Sequence, residues 1–362
     1  MSGDVSRPCS RLWGVVARGA VVAAALCAGV AALAAPPPLL IEKQGSFQAG
    51  GRELASADGK QTLRCDQGYV GYQIPARARK IALFLWHSSS AHVWEQRWDG
   101  GEGFQTILLR NRYPTYVWDG PRVGRGNMSC EDYAYKPVIG QDQRNFLAWR
   151  FGPAPGSWFP GVQFPTADRE AYEQAMSARY VEFDIAKNAH IEGEAGAKAI
   201  DRIGPSVALT NSAGDWRAMI AAMHTDALKG IVAYEPAAFV FPEGEGPQGP
   251  ETGFGPTHVP MSEFMKLTKI PIQIVWGDNI DARWEGRVAT SRQFAEIVNR
   301  LGGKAEVLML PSVGLRGNTH IPFADPVRRT ATLVLVALPI VAVLSWAGQK
   351  AYDALLARLR LA

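Results

Sequence analysis

Three residue types that cooperate in acyl-transfer chemistry fall in one order along this chain. Ser212 comes first, in the run PSVALTNSAGDW over 205–216. Three carboxylates follow, Glu235, Asp278 and Asp281, and His320 comes last. A serine hydroxyl is a weak nucleophile until a base takes its proton. An imidazole can take and return that proton near neutral pH. A buried carboxylate can hold the tautomer of the imidazole and stabilise its charged form.

The setting of Ser212 suits a nucleophile. Residues 207–209 read as a short apolar strand, and 215–224 as a helix, with a sharp turn at Ser212 between them. Such a turn pushes the hydroxyl out of a sheet and aims the next N–H, that of Ala213, at the same point. The helix N-terminus adds partial positive charge there, which favours an oxyanion. Gly214 supplies the small neighbour that a close helix and strand require. Thr210 stands where the G-x-S-x-G pattern has its first glycine. The competing interpretation is an ordinary β-turn with a buried serine.

The surrounding elements give that turn a frame. Residues 80–86, KIALFLW, form a nearly continuous apolar run, as expected of a strand buried on both faces. Further strands are predicted at 115–118, 207–209, 230–234, 272–276 and 305–310. Helices are predicted at 104–110, 170–183, 195–203, 215–224 and 292–301. Residues 46–48 and 68–74 read as an antiparallel start, and 236–260, crowded with Pro and Gly, as a long irregular excursion. Strands alternating with helices argue for an α/β fold, a mostly parallel sheet with helices on both faces.

Sites in such sheets form at the carboxyl ends of the strands. His87, Ser88, Ser89 and Ser90 follow 80–86. Ser212, Glu235 and then Asp278 and Asp281 follow the next strands, and His320 lies past the last. Serine, carboxylate, histidine, each in a loop leaving a strand, is the order of an α/β-hydrolase.

On these residues the chain resembles the α/β-hydrolase esterases of the bacterial esterase 713 type. WHSSSAHVWEQRWDGGEGFQTILLRNRYPTYVWDGPRVGRG looks like the oxyanion loop, first helix and following strand of that family. FGPAPGSWFPGVQFP looks like its middle segment and GPSVALTNSAGD like its elbow. IVAYEP, IVWGDNI and LPSVGLRGNTHIPF look like its later strand ends. The resemblance covers about residues 60–325. Two positions depart from it: serines replace glycines after His87, and Asn211 stands where the family has histidine.

The resemblance implies a serine hydrolase that cleaves carboxylic esters of small molecules through an acyl-enzyme, without a cofactor. It makes Ser212 the nucleophile and His320 the base. It favours Glu235 as the acid, with Asp278 and then Asp281 as rivals. The oxyanion donors would be the N–H of Ala213 and of Ser88 or Ser89. The alternative is an inactive hydrolase scaffold acting as an exported binding protein, motivated by the two departures. A lipase with a lid at 236–260 is a third reading.

Blander roles compete at each position. His320 fits a surface turn, and Glu235, before Pro236, fits a solvated strand end. His87 fits a structural hydrogen bond better than a base. His92, His190, His224 and His258 lack paired ligand spacing, so no metal is expected. Trp86, Trp94, Trp98, Trp118, Trp158 and Phe159 suit either an acyl pocket or plain core. GPRVGRG at 120–126 lacks the lysine-serine ending of a phosphate loop.

Composition bounds the classes. The 362 residues are 20% charged and 47% hydrophobic, with a net charge of +4 and no basic run, which argues against a nucleic-acid partner. Arg7, Arg11 and Arg18 precede an apolar run over 19–35 that contains Ala32-Leu33-Ala34. This reads as a signal peptide over 1–34 and predicts a periplasmic or secreted catalytic domain over 35–325, an uncleaved anchor being the rival. Cys65 and Cys130 then remain as an even pair, which suggests one disulfide. Residues 330–348 carry no charge, and about 19 apolar residues can span a bilayer. The segment 326–362 therefore reads as a membrane anchor, with a packed last helix or a shifted reading frame as alternatives.

Overall fold

Short apolar strands carry the architecture of the computed structural model, which describes residues 37–181, 186–251 and 254–326. The chain begins with a long antiparallel hairpin, β1 (Ile41–Ala55) and β2 (Thr62–Pro75). Then come β3 (Ala82–Trp86), α1 (His92–Glu95), α2 (Phe104–Arg110) and β4 (Thr115–Asp119). Helices α3 (Gln141–Ala148), α4 (Arg169–Ser177) and α5 (Ala186–Ile203) lead to β5 (Ser206–Asn211), α6 (Ala213–Ala222) and β6 (Leu228–Tyr234). A small pair, β7 (Val240–Pro242) and β8 (Thr257–Val259), precedes α7 (Met261–Leu267). The last elements are β9 (Pro271–Trp276), α8 (Ala282–Arg300) and β10 (Lys304–Met309).

The main sheet has the order β1-β2-β4-β3-β5-β6-β9-β10. The joins β1/β2 and β2/β4 are antiparallel, and the other five are parallel. From β3 the chain moves first to β4 on one side and later to β5 on the other. That reversal opens a crevice at the carboxyl ends of β3 and β5, the usual place for a site in such sheets. Register keeps the strand ends level: Trp86 pairs with Thr210, Asn211 with Tyr234, and Tyr234 with Val275. The loops that follow β3, β5, β6 and β9 therefore leave from one rim.

Alternation along each strand fills two layers. Phe84 and Trp86 pack into one hydrophobic cluster, and Leu83 and Leu85 into the other. Burying one such side chain contributes about 1.5–3 kcal/mol. The aromatic set divides in the same way. Trp86 and Trp118 belong to the first layer, Trp94 and Trp98 to the second, with Trp158 packed against the second. Trp86, Trp94, Trp98 and Trp118 are core on opposite sides of the sheet, while Trp158 and Phe159 are half-buried, so the set does not line a single pocket.

Element bounds differ from expectation: β1 and β2 run well beyond 46–48 and 68–74, and α3 and α7 fall where no helix was expected. Helix α5 begins at Ala186 rather than 195, and α8 begins ten residues before 292. Helix α4 stops at Ser177, short of 183. The excursion 236–260 contains the β7/β8 pair. Glycines hide α5: Gly193 and Gly196 weaken its helical propensity. Yet a Cβ on Gly196 would lie 2.4 Å from the Trp86 ring, so glycine is what lets α5 lie on the sheet.

The apolar segments 19–35 and 330–348, with the signal and anchor read from them, lie outside the described residues. Among the described residues no helix is long and apolar enough to cross a membrane. Cys65 and Cys130 form a disulfide with Cα atoms 5.0 Å apart, which ties β2 to the segment after β4. The bridge closes a loop with a sequence separation of 65. Loops of that size give about 2–4 kcal/mol of stabilisation. Denaturant melts of the oxidised and reduced protein should differ by that amount. Coincident transitions would count against a stabilising role.

Candidate active site

The end of β5 is built around a strained serine. Ser212 turns the chain with φ 58° and ψ −119°. A left-handed φ at a residue with a side chain costs about 1–3 kcal/mol and persists only where its surroundings impose it. Here the Ser212 N–H donates to Tyr234 O (3.1 Å), and the Ala237 N–H donates to Ser212 O (3.1 Å). Helix α6 starts at Ala213, and every residue in it is buried. A Cβ on Gly214 would stand 2.8 Å from Trp86 O, so glycine permits the close approach of α6 to the end of β3. Asn211 Nδ2 donates to Tyr234 O (3.0 Å) and to His320 O (3.2 Å). The residue before the serine therefore ties the elbow to the histidine segment.

His320 and Glu235 meet. His320 Nδ1 lies 2.9 Å from Glu235 Oε2. Glu235 is fully buried, and its φ of 59° turns the chain sharply at the end of β6. Gly277 N–H donates to Glu235 Oε1 (2.7 Å). The guanidinium of Arg150, also fully buried, donates to both carboxylate oxygens. Burial opposes ionisation of Glu235, but the Arg150 charge and the His320 bond outweigh it and hold the carboxyl below its ordinary value. An ionised carboxylate only accepts, so Nδ1 carries the proton and Nε2 keeps a free lone pair. Burial, first of all, lowers the affinity of His320 for a second proton; Glu235 raises it, while Arg150 and Arg287 lower it, and the result lies below the ordinary value.

Arg150 was not among the residues singled out from sequence. The signal available was its place between Trp149 and Phe151, a cation embedded in aromatic sequence. Its backbone is left-handed too, with φ 54°. Its Nε donates to Asp278 O (2.9 Å), and its guanidinium lies 5.3 Å from the Trp284 ring centroid.

The two rival acids are engaged elsewhere. Asp278 accepts from the N–H of Asn279 (2.8 Å) and of Gly317 (2.8 Å), which links the β9 loop to the histidine loop. Asp281 caps α8 and pairs with Arg283 at the surface.

The loop after β3 is strapped down. His87 Nε2 bonds Asp119 Oδ1 at 2.7 Å, the structural role expected of it, and Asp119 Oδ2 accepts from Arg125 N (3.0 Å) and Arg125 Nε (2.5 Å). Burial opposes ionisation of Asp119, yet the His87 bond and Arg125 bring it down to about 2. Ser89 O accepts from Tyr180 N (2.7 Å), and Ser90 Oγ donates to Ala178 O (2.8 Å). Ser88, Ser89 and Ala213 are all buried. A cavity of about 390 Å³ opens beside this loop, lined in part by Ser90, Ala91, Arg125 and Tyr180, and neither Ser212 nor His320 lines it. Among the described residues no cluster of His, Cys, Asp or Glu could hold a metal ion.

One solved structure decides the fold. A novel bacterial esterase is 25% identical to this chain, covers 85% of it and 99% of its own length, and superposes with a TM-score of 0.71. The chain has the α/β-hydrolase fold. The same similarity carries the esterase resemblance and supports a hydrolase of this fold. More distant α/β-hydrolase structures add no weight. A predicted CIB-like hydrolase from Thermoplasma acidophilum has 14% identity, covers 82% of this chain and 99% of its own, and has a TM-score of 0.40. Naproxen esterase from Bacillus subtilis has 11% identity, covers 82% of this chain and 91% of its own, and also has a TM-score of 0.40. No family model and no curated protein matches the chain.

A second carboxyl is buried beside His320 without a cationic partner bonded to it. Asp325 accepts from Thr319 N (2.8 Å) and Thr319 Oγ1 (3.0 Å), next to His320, and burial pushes it up to about 7. An unfolded aspartate titrates near ~3.9. The folded state therefore binds more protons between about 4 and 7, and stability falls as pH rises through that window. Asp325→Asn should flatten that decline, by up to about 4 kcal/mol across the window. Urea midpoints at pH 4, 5.5 and 7 read this; parallel wild-type and variant curves would contradict it.

Proposed function

We propose that the protein is a serine esterase that cleaves carboxylic esters of small molecules through an acyl-enzyme. The observation that carries the reading is the buried Glu235–His320 pair at 2.9 Å, joined through Asn211 to the strained turn at Ser212. The similarity to a bacterial esterase supports it.

In this mechanism the Ser212 hydroxyl attacks the ester carbonyl while His320 Nε2 takes its proton. Glu235 holds the Nδ1–H and stabilises the imidazolium. The carbonyl oxygen becomes an oxyanion that accepts from the N–H of Ala213 and of Ser88 or Ser89; losing one such donor typically costs about 10²–10³ in rate. The bond to the alcohol oxygen breaks, and His320 returns its proton to that oxygen. Water then attacks the acyl group with His320 again as base, releasing the acid and restoring Ser212. We also place the enzyme outside the cytoplasm, reading 1–34 as an export signal. The Cys65–Cys130 bridge suits an oxidising compartment.

Ser212→Ala should abolish release of p-nitrophenol from short-chain esters and block labelling by a fluorophosphonate, with the fold intact by circular dichroism. A wild-type protein that takes no label would leave the inactive scaffold as the better reading. The pH profile adds a second check. His320 is lowered below the ordinary histidine value of about 6.5. The base is neutral above its own pKa, so kcat/KM should climb with pH to a plateau, with a midpoint below about 6.5. A midpoint well above that figure would assign the limb to another group.

A further inference from the structure

Beside the proposed site stands a cation with no anion. Arg287 lies on α8, half-buried, and among the described residues no carboxylate lies within ion-pair distance of it. A guanidinium has five N–H donors. One of them reaches Ala237 O. The plane is packed against two rings, with centroids at 5.8 Å for Trp284 and 5.9 Å for Phe254. Other arginines around the site have acids: Arg150 has Glu235, Arg125 has Asp119, Arg217 has Glu192 and Arg283 has Asp281.

Its position is fixed relative to the reacting groups. Ala237, whose carbonyl holds Arg287, donates its N–H to Ser212 O (3.1 Å). Trp284, against which Arg287 packs, lies 5.5 Å from the His320 ring. Burying an uncompensated charge is unfavourable, and burial does pull Arg287 below its ordinary value. An anion delivered by a ligand would remove that penalty and use donors that are already oriented.

We propose that Arg287 binds an anionic group of the substrate, so that the preferred esters are small monoanions such as half-esters of dicarboxylic acids. The inference rests on the esterase reading given above and names the substrate class of that site. The anion can sit on the acyl or the alcohol side, and the two are separable by experiment.

Two matched pairs of esters test it. On the acyl side, mono-p-nitrophenyl glutarate is compared with p-nitrophenyl pentanoate. On the alcohol side, 4-carboxyphenyl butyrate is compared with phenyl butyrate. Wild type should favour the anionic member of one pair by about tenfold or more in kcat/KM, the scale of one charge-assisted hydrogen bond. Arg287→Gln should collapse that ratio about tenfold, and Arg287→Lys should keep part of it. An equal ratio in wild type and Arg287→Gln for both pairs overturns the inference, while fluorophosphonate labelling of the same samples shows that the esterase reading stands. If no ester is turned over, calorimetry with glutarate still decides the anion site. Binding that Arg287→Gln abolishes supports it, and no binding to wild type overturns it.

Discussion

One ionised carboxylate, that of Glu235, holds the rim of this sheet together. It is fully buried, and it accepts from Arg150, from Gly277 N–H and from His320. Burial alone would protonate it. Two neighbours show what burial does where no cation is bonded, with the Glu235 charge adding to it: Asp215, three residues past the elbow serine, is raised well above its ordinary value, and Asp325 is raised to about 7. The three carboxyls share burial and differ in their partners. Asp215 bonds the Thr210 hydroxyl and Asp325 bonds Thr319, whereas Glu235 faces a guanidinium. A charged partner within hydrogen-bond reach favours ionisation where a neutral one does not. Arg150 is therefore what keeps an anion at the Nδ1 side of His320. Breaking such a buried pair costs about 3–5 kcal/mol, because it strands one charge in the interior.

That anion is positioned by backbone that would be unfavourable elsewhere. Ser212, Glu235 and Arg150 all have left-handed φ, at 58°, 59° and 54°. Three such residues cost several kcal/mol together, at about 1–3 kcal/mol each. The parallel strands set the geometry at Ser212 and Glu235, whereas Arg150 follows α3 and donates its N–H to Leu147 O (3.1 Å). Tyr234 O accepts from Ser212 N, and Val275 O accepts from Glu235 N (2.9 Å), so each turn is pinned by the neighbouring strand. Asn211 fits the same scheme. Its amide bridges the elbow to the backbone of His320, so the departure from the resembled family's histidine here serves to join two loops.

Much of this frame was legible in the amino-acid order. Runs such as ALFLW and PIQIVW read as buried strands, because they are short, rich in apolar residues and bounded by turn residues, too short for a helix of ordinary length. Residues after those runs fall on one rim by topology, which is why Ser212, His320 and the three carboxylates Glu235, Asp278 and Asp281 stood out together; the family resemblance favoured Glu235 among them. Arg150 was not legible, because its partner lies 85 positions away and no periodic pattern links the two. The N-terminal half of α5 was hidden for a different reason. Its Gly193 lowers helical propensity, but Glu192 accepts from Trp86 Nε1 (2.9 Å) and pairs with Arg217 (3.1 Å), so packing overrides propensity. The aromatic residues stayed open between core and pocket because no pattern shows which side of the sheet a tryptophan outside a strand reaches: Trp86 and Trp118, on strands, fall in one layer, and Trp94 and Trp98 in the other.

The serine-rich loop after β3 raises the question of how it can serve without the glycines of the resembled family. Glycine gives such a loop freedom to present its N–H groups; serine restricts the backbone but adds anchoring. Here one serine hydroxyl anchors the loop, that of Ser90, and the other ties come from the His87 ring and the Ser89 backbone. His87 is locked to Asp119, Ser90 to Ala178 and the Ser89 carbonyl to Tyr180. Asp119 in turn is held by Arg125, which lies 4.3 Å from the Tyr69 ring centroid on β2. The loop thus hangs from β2, β4 and the segment after α4 at once. Donors fixed before the reaction need no reorganisation when charge develops, which is the property an oxyanion site requires. Under the esterase reading, the His87 and Ser90 side chains hold the loop rigid where the resembled family has glycine freedom, and the chemistry asks only for the rigidity.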